Sequence, residues 1–192
     1  MAVSLMIVGV GGQGSLLAST LLGNILTAEG YDVKVSEVHG MSQRGGSVVT
    51  YVKYDKDKVY SPIVTEGEAD YIISFEKLEA ARYVSFLKKD GKIIVNTQQI
   101  DPMPVIIGAA EYPNGILDEL KNKDVFIDEI DALTLAEKAG SSRAVNIVLM
   151  GRLAKYLGIN YNEWINTIET TVKPKFVELN KKAFELGYKY EK

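Results

Sequence analysis

An apolar run that ends in a glycine-rich turn constrains the fold of this chain more than any other feature. Residues 3–8 form the run, which is typical of a strand buried on both faces. The turn fits the spacing G-x-G-x-x-G and reads Gly9-Val10-Gly11-Gly12-Gln13-Gly14. Residues 12–29 then have the apolar periodicity of a helix, and residues 31–35 alternate like a strand. This order predicts a βαβ unit with parallel strands and a right-handed crossover.

The rest of the pattern predicts a mixed sheet followed by helices. Residues 48–54 and 59–61 flank a polar turn and predict an antiparallel hairpin. Other segments predict strands at residues 69–74, 92–95, 105–107 and 125–128, and helices at residues 76–87, 133–139, 144–157, 161–171 and 174–186. Asn160 and Asn162 are candidate caps of the fourth of these helices, and Pro174 suits a first helical turn. Because no long linker divides the chain, we expect one domain over residues 1–192.

The glycine turn is a candidate phosphate site. Glycines allow a tight turn and a close approach of a ligand, and the helix N-terminus offers unpaired N–H groups. A dinucleotide site also needs an acidic residue about 20 positions further on. Glu37 lies in about that place. A bound dinucleotide and a turn that only packs strand against helix, or contacts a partner, are therefore both open.

A second unusual segment follows the second predicted strand and contains the only histidine of the chain. It reads His39-Gly40-Met41-Ser42-Gln43-Arg44-Gly45-Gly46-Ser47. Ligands bind open α/β sheets at the carboxyl ends of the strands, where this segment should lie. An arginine with glycine N–H groups and a serine suits a phosphate or a carboxylate. A subunit interface and a plain surface turn are the alternatives, and His39 could be either an acid/base or a structural residue.

Composition excludes several classes of function. The net charge of −3 is mild, so the sequence does not look like that of a general nucleic-acid or membrane-surface binder. The chain has no cysteine, so it supplies neither a disulfide nor the thiolates that hold iron–sulfur clusters. The absence of cysteine and of a basic N-terminal signal favours a cytoplasmic protein. Asp128, Glu129 and Asp131 predict a solvated rim or a helix cap, with a metal site as the less favoured alternative.

The two glycine segments together resemble the gamma-type domain of the 2-oxoacid:ferredoxin oxidoreductases. The sequence Met41-Ser42-Gln43-Arg44-Gly45-Gly46 is similar to the form found in the small (beta) subunit of the indolepyruvate branch of that family. Two later stretches also resemble the family, Asn146-Ile147-Val148-Leu149-Met150-Gly151 and Asn180-Lys181-Lys182-Ala183-Phe184-Glu185-Leu186-Gly187. The resemblance therefore covers nearly the whole chain.

The resemblance implies a three-layer α/β/α fold with a mixed, mostly parallel Rossmann-like sheet and a helical C-terminal part. It also implies a subunit that is inactive alone. In the holoenzyme, a large (alpha) subunit would hold thiamine diphosphate and iron–sulfur clusters. That enzyme would convert aryl 2-oxoacids such as indolepyruvate to acyl-CoA and reduce ferredoxin.

On this resemblance, this chain contributes a wall of the active site or of the coenzyme A region. The candidate contacts are Arg44, with Ser42 and Gln43 as orienting groups, and the glycine-segment residues Gly9, Gly11, Gly12, Gln13, Gly14, Gly45 and Gly46. No metal site is expected. A gamma subunit for pyruvate or 2-oxoisovalerate, a stand-alone dinucleotide-binding protein and a pure scaffold domain are the alternatives.

Overall fold

The structure is a computed structural model that describes residues 2–39 and 46–191. Its centre is a six-stranded sheet with the order β2-β3-β1-β4-β5-β6. The strands are β1 (Val3–Val10), β2 (Asp32–His39), β3 (Ser47–Asp55), β4 (Ala69–Ser74), β5 (Leu87–Asn96) and β6 (Phe126–Ile130). Strands β1, β4, β5 and β6 pair in parallel.

Strand β3 is antiparallel to both of its neighbours, β1 and β2. The strands β1 and β2 therefore run in the same direction, which confirms the predicted parallel βαβ unit, although β3 lies between them. The mixed sheet is also confirmed, but the predicted hairpin is wrong. Residues 59–61 form no strand, because β1 and β2 already occupy both edges of β3. Val59 is instead buried, and its N–H donates to the Asp32 carboxylate at 2.8 Å.

Eight α-helices accompany the sheet in the part of the chain that the structure describes. They are α1 (Ser15–Ala28), α2 (Lys77–Arg82), α3 (Met103–Ile106), α4 (Ile116–Lys121), α5 (Ala132–Ala139), α6 (Val145–Leu157), α7 (Tyr161–Thr171) and α8 (Val177–Tyr188). Short 3-10 turns precede α6 and α8, and the second of them begins at Pro174. Asn160 caps α7 through the N–H of Asn162. Within the described ranges, no helix is long and apolar enough to cross a bilayer.

Two further predictions about local structure are wrong. Residues 105–107 are not a strand, because Pro102 precedes the short helix α3 and Pro104 lies in its first turn, where a missing N–H is tolerated. The predicted helix over residues 76–87 is shorter than expected. It ends at Arg82, a 3-10 turn follows at Val84–Phe86, and Leu87 already begins β5.

Alternate side chains of the central strands enter two separate cores. Leu5 and Ile7 of β1 face the core formed with α1 and the C-terminal helices α5 to α8. Met6 and Val8 face the opposite core, which contains residues of α2 and α4. This period-two alternation between two apolar layers confirms the three-layer α/β/α fold.

Two glycines allow the closest helix crossing in the C-terminal part. A Cβ at Gly151 of α6 would lie 2.1 Å from the Phe184 carbonyl oxygen, and a Cβ at Gly187 of α8 would lie 2.0 Å from the Val148 carbonyl oxygen. The helices α6 and α8 therefore touch backbone to backbone. The two late stretches that resemble the oxidoreductase family thus pack against each other, and their last glycines carry the contact.

We expect Gly151→Ala to lower the free energy of unfolding by about 3 kcal/mol or more, because the added methyl group must separate two packed helices. Denaturant unfolding measures the change. The matched control is Gly23→Ala in α1, where the nearest atom lies 3.8 Å from the new Cβ. That variant should gain about 0.5–1 kcal/mol from helix propensity. Equal stability of the two variants would contradict the assigned crossing.

Candidate functional site

The carboxyl ends of the parallel strands border a cavity of about 700 Å³. This position, at the first strand–helix turn, is where open α/β sheets bind ligands. Its lining includes the glycine turn, the segment after β5 and the 3-10 turn before α6, represented by Gly12, Gln13, Gly14, Gln98, Ser142 and Arg143. The Arg143 side chain is exposed at the rim and brings a positive charge to it.

The Gln13 side chain holds the glycine turn in place. Its Oε1 accepts the N–H of Val10 at 2.7 Å, and its Nε2 donates to the Phe75 carbonyl, directly after β4, at 3.3 Å. A Cβ at Gly9 would lie 2.7 Å from that same Oε1, so the first glycine makes room for the amide. Gln13 was predicted as a cofactor-binding residue, and the structure shows its amide bound to the protein backbone on both sides.

The first turn of α1 is open toward the cavity. Gly14 has a left-handed backbone with φ 85°, and among the described residues no side chain caps the turn that follows it. The Asn146 amide donates to the Gly14 carbonyl at 3.1 Å. A Cβ at Gly14 would lie 2.7 Å from that amide nitrogen. The first family-like motif and the third therefore meet here, and the first N–H groups of α1, which no described side chain caps, suit an anion.

Glu37 does not have the surroundings of a ribose-binding acid. In the dinucleotide fold that acid follows the strand next to β1. Here β3 lies between β1 and β2, and the carboxylate of Glu37 accepts the hydroxyls of Ser15 and Thr50, both at 3.2 Å. This carboxylate links the start of α1 to the edge of the sheet, which favours a packing role for the turn.

Of the second glycine segment, the structure describes His39, Gly46 and Ser47. The predicted residues Ser42, Gln43, Arg44 and Gly45 lie outside the described residues. At its end, the Gly46 carbonyl accepts the N–H of Gly11 at 3.0 Å. The two glycine segments are therefore brought together at this point.

The histidine of this segment, His39, ends β2 and is exposed. Among the described residues, no hydrogen bond or ion pair assigns His39 an acid/base function, so its role stays a prediction.

Asn96 is a structural residue of this edge that the sequence analysis did not select. It is fully buried at the end of β5. Its Nδ2 donates to the Phe75 carbonyl at 3.1 Å, and its Oδ1 accepts the N–H of Ala132, the first residue of α5, at 3.1 Å. The Phe75 carbonyl thus accepts two amides, one from Gln13 and one from Asn96. A polar residue at the end of an apolar strand was the only available signal.

Two buried glutamates on α2 were also missed. Glu76 is 1% exposed, accepts the Tyr112 hydroxyl at 2.9 Å and caps α2. Burial, with a smaller effect from the neighbouring Glu79 carboxylate, raises the pKa of Glu76 above its ordinary value. Glu79 is 3% exposed and accepts the hydroxyl of Ser47, the first residue of β3. Their position shortly after the predicted strand at residues 69–74 was the only sequence feature that could have indicated either residue.

The acidic cluster near β6 differs from the prediction. Asp128 is not on a solvated rim, since it is buried and accepts two guanidinium nitrogens of Arg152 at 2.5 and 3.1 Å and the Tyr156 hydroxyl at 2.6 Å. Asp131 caps α5, as expected for a cap, and Glu129 pairs with Lys121. Within residues 2–39 and 46–191, no three His, Asp or Glu side chains are grouped closely enough to hold a metal ion.

The comparisons with known proteins identify the class. The chain matches the family model described as pyruvate ferredoxin/flavodoxin oxidoreductase over residues 4–190, and it belongs to that family. It is 44% identical over 199 residues to the indolepyruvate oxidoreductase subunit IorB of Thermococcus kodakarensis, covering 98% of this chain and 96% of the relative. It is 27% identical over 190 residues to the common gamma subunit of the pyruvate/ketoisovalerate oxidoreductases of Pyrococcus abyssi, covering 96% and 89%.

A solved structure shows the same fold. The keto/oxoacid ferredoxin oxidoreductase gamma subunit from Geobacter sulfurreducens superimposes with a TM-score of 0.72 at 21% identity. The superposition covers 97% of this chain and 96% of that one. This likeness supports the architecture described above and extends over both cores.

We expect Arg152→Met to lower the free energy of unfolding by about 3–5 kcal/mol, because it leaves the buried Asp128 carboxylate without its cation. Chemical denaturation measures the loss. The control is Lys189→Met, which breaks an exposed pair with Glu185 and should leave the stability close to that of the wild type. If both variants cost the same, the Asp128–Arg152 pair does not anchor β6 to α6.

Glu76 should make the stability of the chain depend on pH. Its pKa is raised in the folded state, so the protonated form favours folding at low pH, and that contribution is lost as pH rises through the raised pKa. The wild type should therefore lose stability relative to Glu76→Gln as pH rises from about 4, near the ordinary glutamate pKa, through the raised pKa. Urea unfolding of both proteins across this range measures the difference. Parallel stability curves would show that burial does not shift this carboxyl.

Proposed function

We propose that this chain is the small subunit of an indolepyruvate:ferredoxin oxidoreductase and is inactive without its large subunit. In that enzyme, an aryl 2-oxoacid loses carbon dioxide, the acyl group is passed to coenzyme A, and two electrons reduce ferredoxin. The observation that carries the proposal is the 44% identity to an indolepyruvate oxidoreductase subunit over almost the whole chain. The identity to the pyruvate/ketoisovalerate gamma subunit is only 27%.

The chemistry of the available side chains supports a division of labour between two subunits. Iron–sulfur clusters are held mainly by cysteine thiolates, and this chain has no cysteine. Thiamine diphosphate is held through a divalent metal with oxygen ligands, and within residues 2–39 and 46–191 no group of three or more His, Asp or Glu side chains is present to bind one. These observations favour the large subunit as the holder of both groups, and we assign no step of the reaction to a cofactor on this chain.

The contribution of this chain is a polar surface at the carboxyl-end edge of the sheet. The open first turn of α1 and the rim residue Arg143 favour an anionic group in the cavity of about 700 Å³. Gly46, at the end of the second glycine segment, accepts the Gly11 N–H and lies beside this edge. We propose that Arg44, oriented by Ser42 and Gln43, reaches the substrate or coenzyme A region of the large subunit.

Reconstitution with the large subunit encoded with this chain tests the proposed function. Oxoacid-dependent reduction of ferredoxin or a viologen dye is measured with indolepyruvate, pyruvate and 2-oxoisovalerate, each with and without coenzyme A. We expect turnover only when both subunits are present, and the highest kcat/KM for indolepyruvate. Preference for pyruvate or 2-oxoisovalerate would assign the chain to another branch of the family. Turnover by this chain alone would refute the subunit assignment.

Arg44→Ala should lower kcat/KM of the reconstituted enzyme by about tenfold to a thousandfold, as expected when a charge-assisted contact to a reacting or anchoring group is lost. The two subunits should still co-elute in size-exclusion chromatography. Lys189→Ala, which removes an exposed cation at the C-terminal end of α8, is the control and should keep wild-type turnover. Full activity of Arg44→Ala would leave this segment with a scaffold role only.

A further inference from the structure

The start of β3 is held from the side by a partly buried hydrogen-bond chain from α2 and the residue that ends it. The Ser47 hydroxyl donates to the Glu79 carboxylate and lies 3.1 Å from the Tyr83 hydroxyl. A carboxylate can only accept, and a serine has a single hydroxyl proton. Ser47 therefore gives its proton to Glu79, and Tyr83 donates to Ser47.

Glu79 is fixed by contacts on every polar atom. Its second carboxylate oxygen accepts the Nε of Arg82 at 3.0 Å, and its backbone N–H donates to the Glu76 carboxylate that caps α2. The Glu79 side chain is only 4% exposed, whereas that of Arg82 is 50% exposed. Burying a carboxylate is costly unless its hydrogen bonds are satisfied. Since Glu76 already supplies the cap, the fold of α2 gives no separate reason for a charge at position 79.

The position of Ser47 gives a reason for a carboxylate at position 79. Ser47 pairs with Val10 at the end of the β1–β3 ladder, and it directly follows Gly46, whose carbonyl accepts the Gly11 N–H. One side chain of α2 thus fixes the junction between the glycine turn and the end of the second glycine segment. A shift of Glu79 would release both.

We propose that Glu79 is a positioning residue of the assembled oxidoreductase and acts through Ser47. It holds the Gly46–Ser47 junction against the glycine turn, so that the surface presented to the large subunit has one geometry. Neither Glu79 nor Tyr83 needs to touch the substrate or a cofactor. The inference rests on the proposed function, because its consequence is read in the reconstituted enzyme, but the geometry that it assigns can be measured on the full chain alone.

Two substitutions test the hydrogen bond from its two ends. Ser47→Ala and Glu79→Met should each lower kcat between about tenfold and a hundredfold with little change in KM, because a small misplacement of a positioned surface slows turnover. The double variant should be no slower than the slower single variant, since both remove the same bond. Complex formation, measured by size-exclusion chromatography, should persist.

Conservative variants separate positioning from general damage. Ser47→Thr keeps the hydroxyl and Glu79→Gln keeps an acceptor. Both variants should therefore retain a turnover within about twofold of the wild type. Lys189→Ala, which breaks an exposed pair at the C-terminal end of α8, should leave kcat unchanged. A loss in Ser47→Thr equal to that in Ser47→Ala would overturn the proposal, and so would a comparable loss in Lys189→Ala.

Amide hydrogen exchange of Gly11 is the readout that does not depend on activity. In the full chain, Ser47→Ala should speed the exchange of the Gly11 N–H, whose acceptor Gly46 loses its anchor, and Ser47→Thr should not. Unchanged Gly11 exchange together with wild-type kcat in Ser47→Ala would overturn the positioning role while the proposed function stands. If the wild-type complex shows no oxoacid turnover, the proposed function fails, and Gly11 exchange still decides whether Ser47 and Glu79 hold the junction.

Discussion

The hydrogen bonds of the Gln13 amide hold together the edge of the sheet on which the rest of the site depends. Where β1 and β4 end, their backbone groups leave the strand ladder and need other partners. Gln13 supplies one partner to each strand, at Val10 and at Phe75. Asn96 and Asn146 do the same for the start of α5 and for the Gly14 carbonyl. Three amide side chains thus supply the hydrogen-bond partners that the backbone needs at this edge. A bound nucleotide phosphate is not required for that purpose.

This amide framework changes the meaning of the glycine motif. The spacing G-x-G-x-x-G in a strand–turn–helix context suits a dinucleotide, but two features of the structure favour another use. Strand β3 separates the acidic candidate Glu37 from β1, and the Gln13 side chain occupies the space beside Gly9. Gly9 and Gly14 therefore serve close packing. The first turn of α1 and the Gly46–Ser47 junction both lie at the edge that we propose faces the large subunit.

Local patterns predicted most of the elements, whereas contacts between distant residues could not be predicted from them. The apolar run of β1, the periodicity of α1 and the four C-terminal helices depend on neighbours within a few residues, and these were correct. The hairpin to residues 59–61 was wrong because β1, more than forty residues earlier in the chain, takes the free edge of β3. The apolar character of residues 105–107 suggested a strand, but the flanking prolines determine a helix.

The same difference between local patterns and contacts of distant residues holds for the candidate site. The glycine segments were visible as motifs, and their meeting at Gly11 and Gly46 follows from the strand order. The amide of Asn146 reaches Gly14 across 132 positions, and Glu79 reaches Ser47 across 32. The apolar periodicity of the sequence does not indicate such long-range pairs. The motif of residues 146–151 was recognisable by resemblance, but its two roles became clear only in three dimensions: Asn146 on the glycine turn and Gly151 on α8.

Hydrogen–deuterium exchange of the chain, free and in complex with its large subunit, tests most directly whether the carboxyl-end edge completes the active site of another chain. Protection is expected in the glycine turn at residues 9–14, at the junction of Gly46 with Ser47, and after β5 at residues 97–100. The opposite end of the sheet, including the turn at residues 55–58, should exchange equally in both states. Protection confined to that opposite end, or no protection at the glycine turn, would contradict the proposed arrangement.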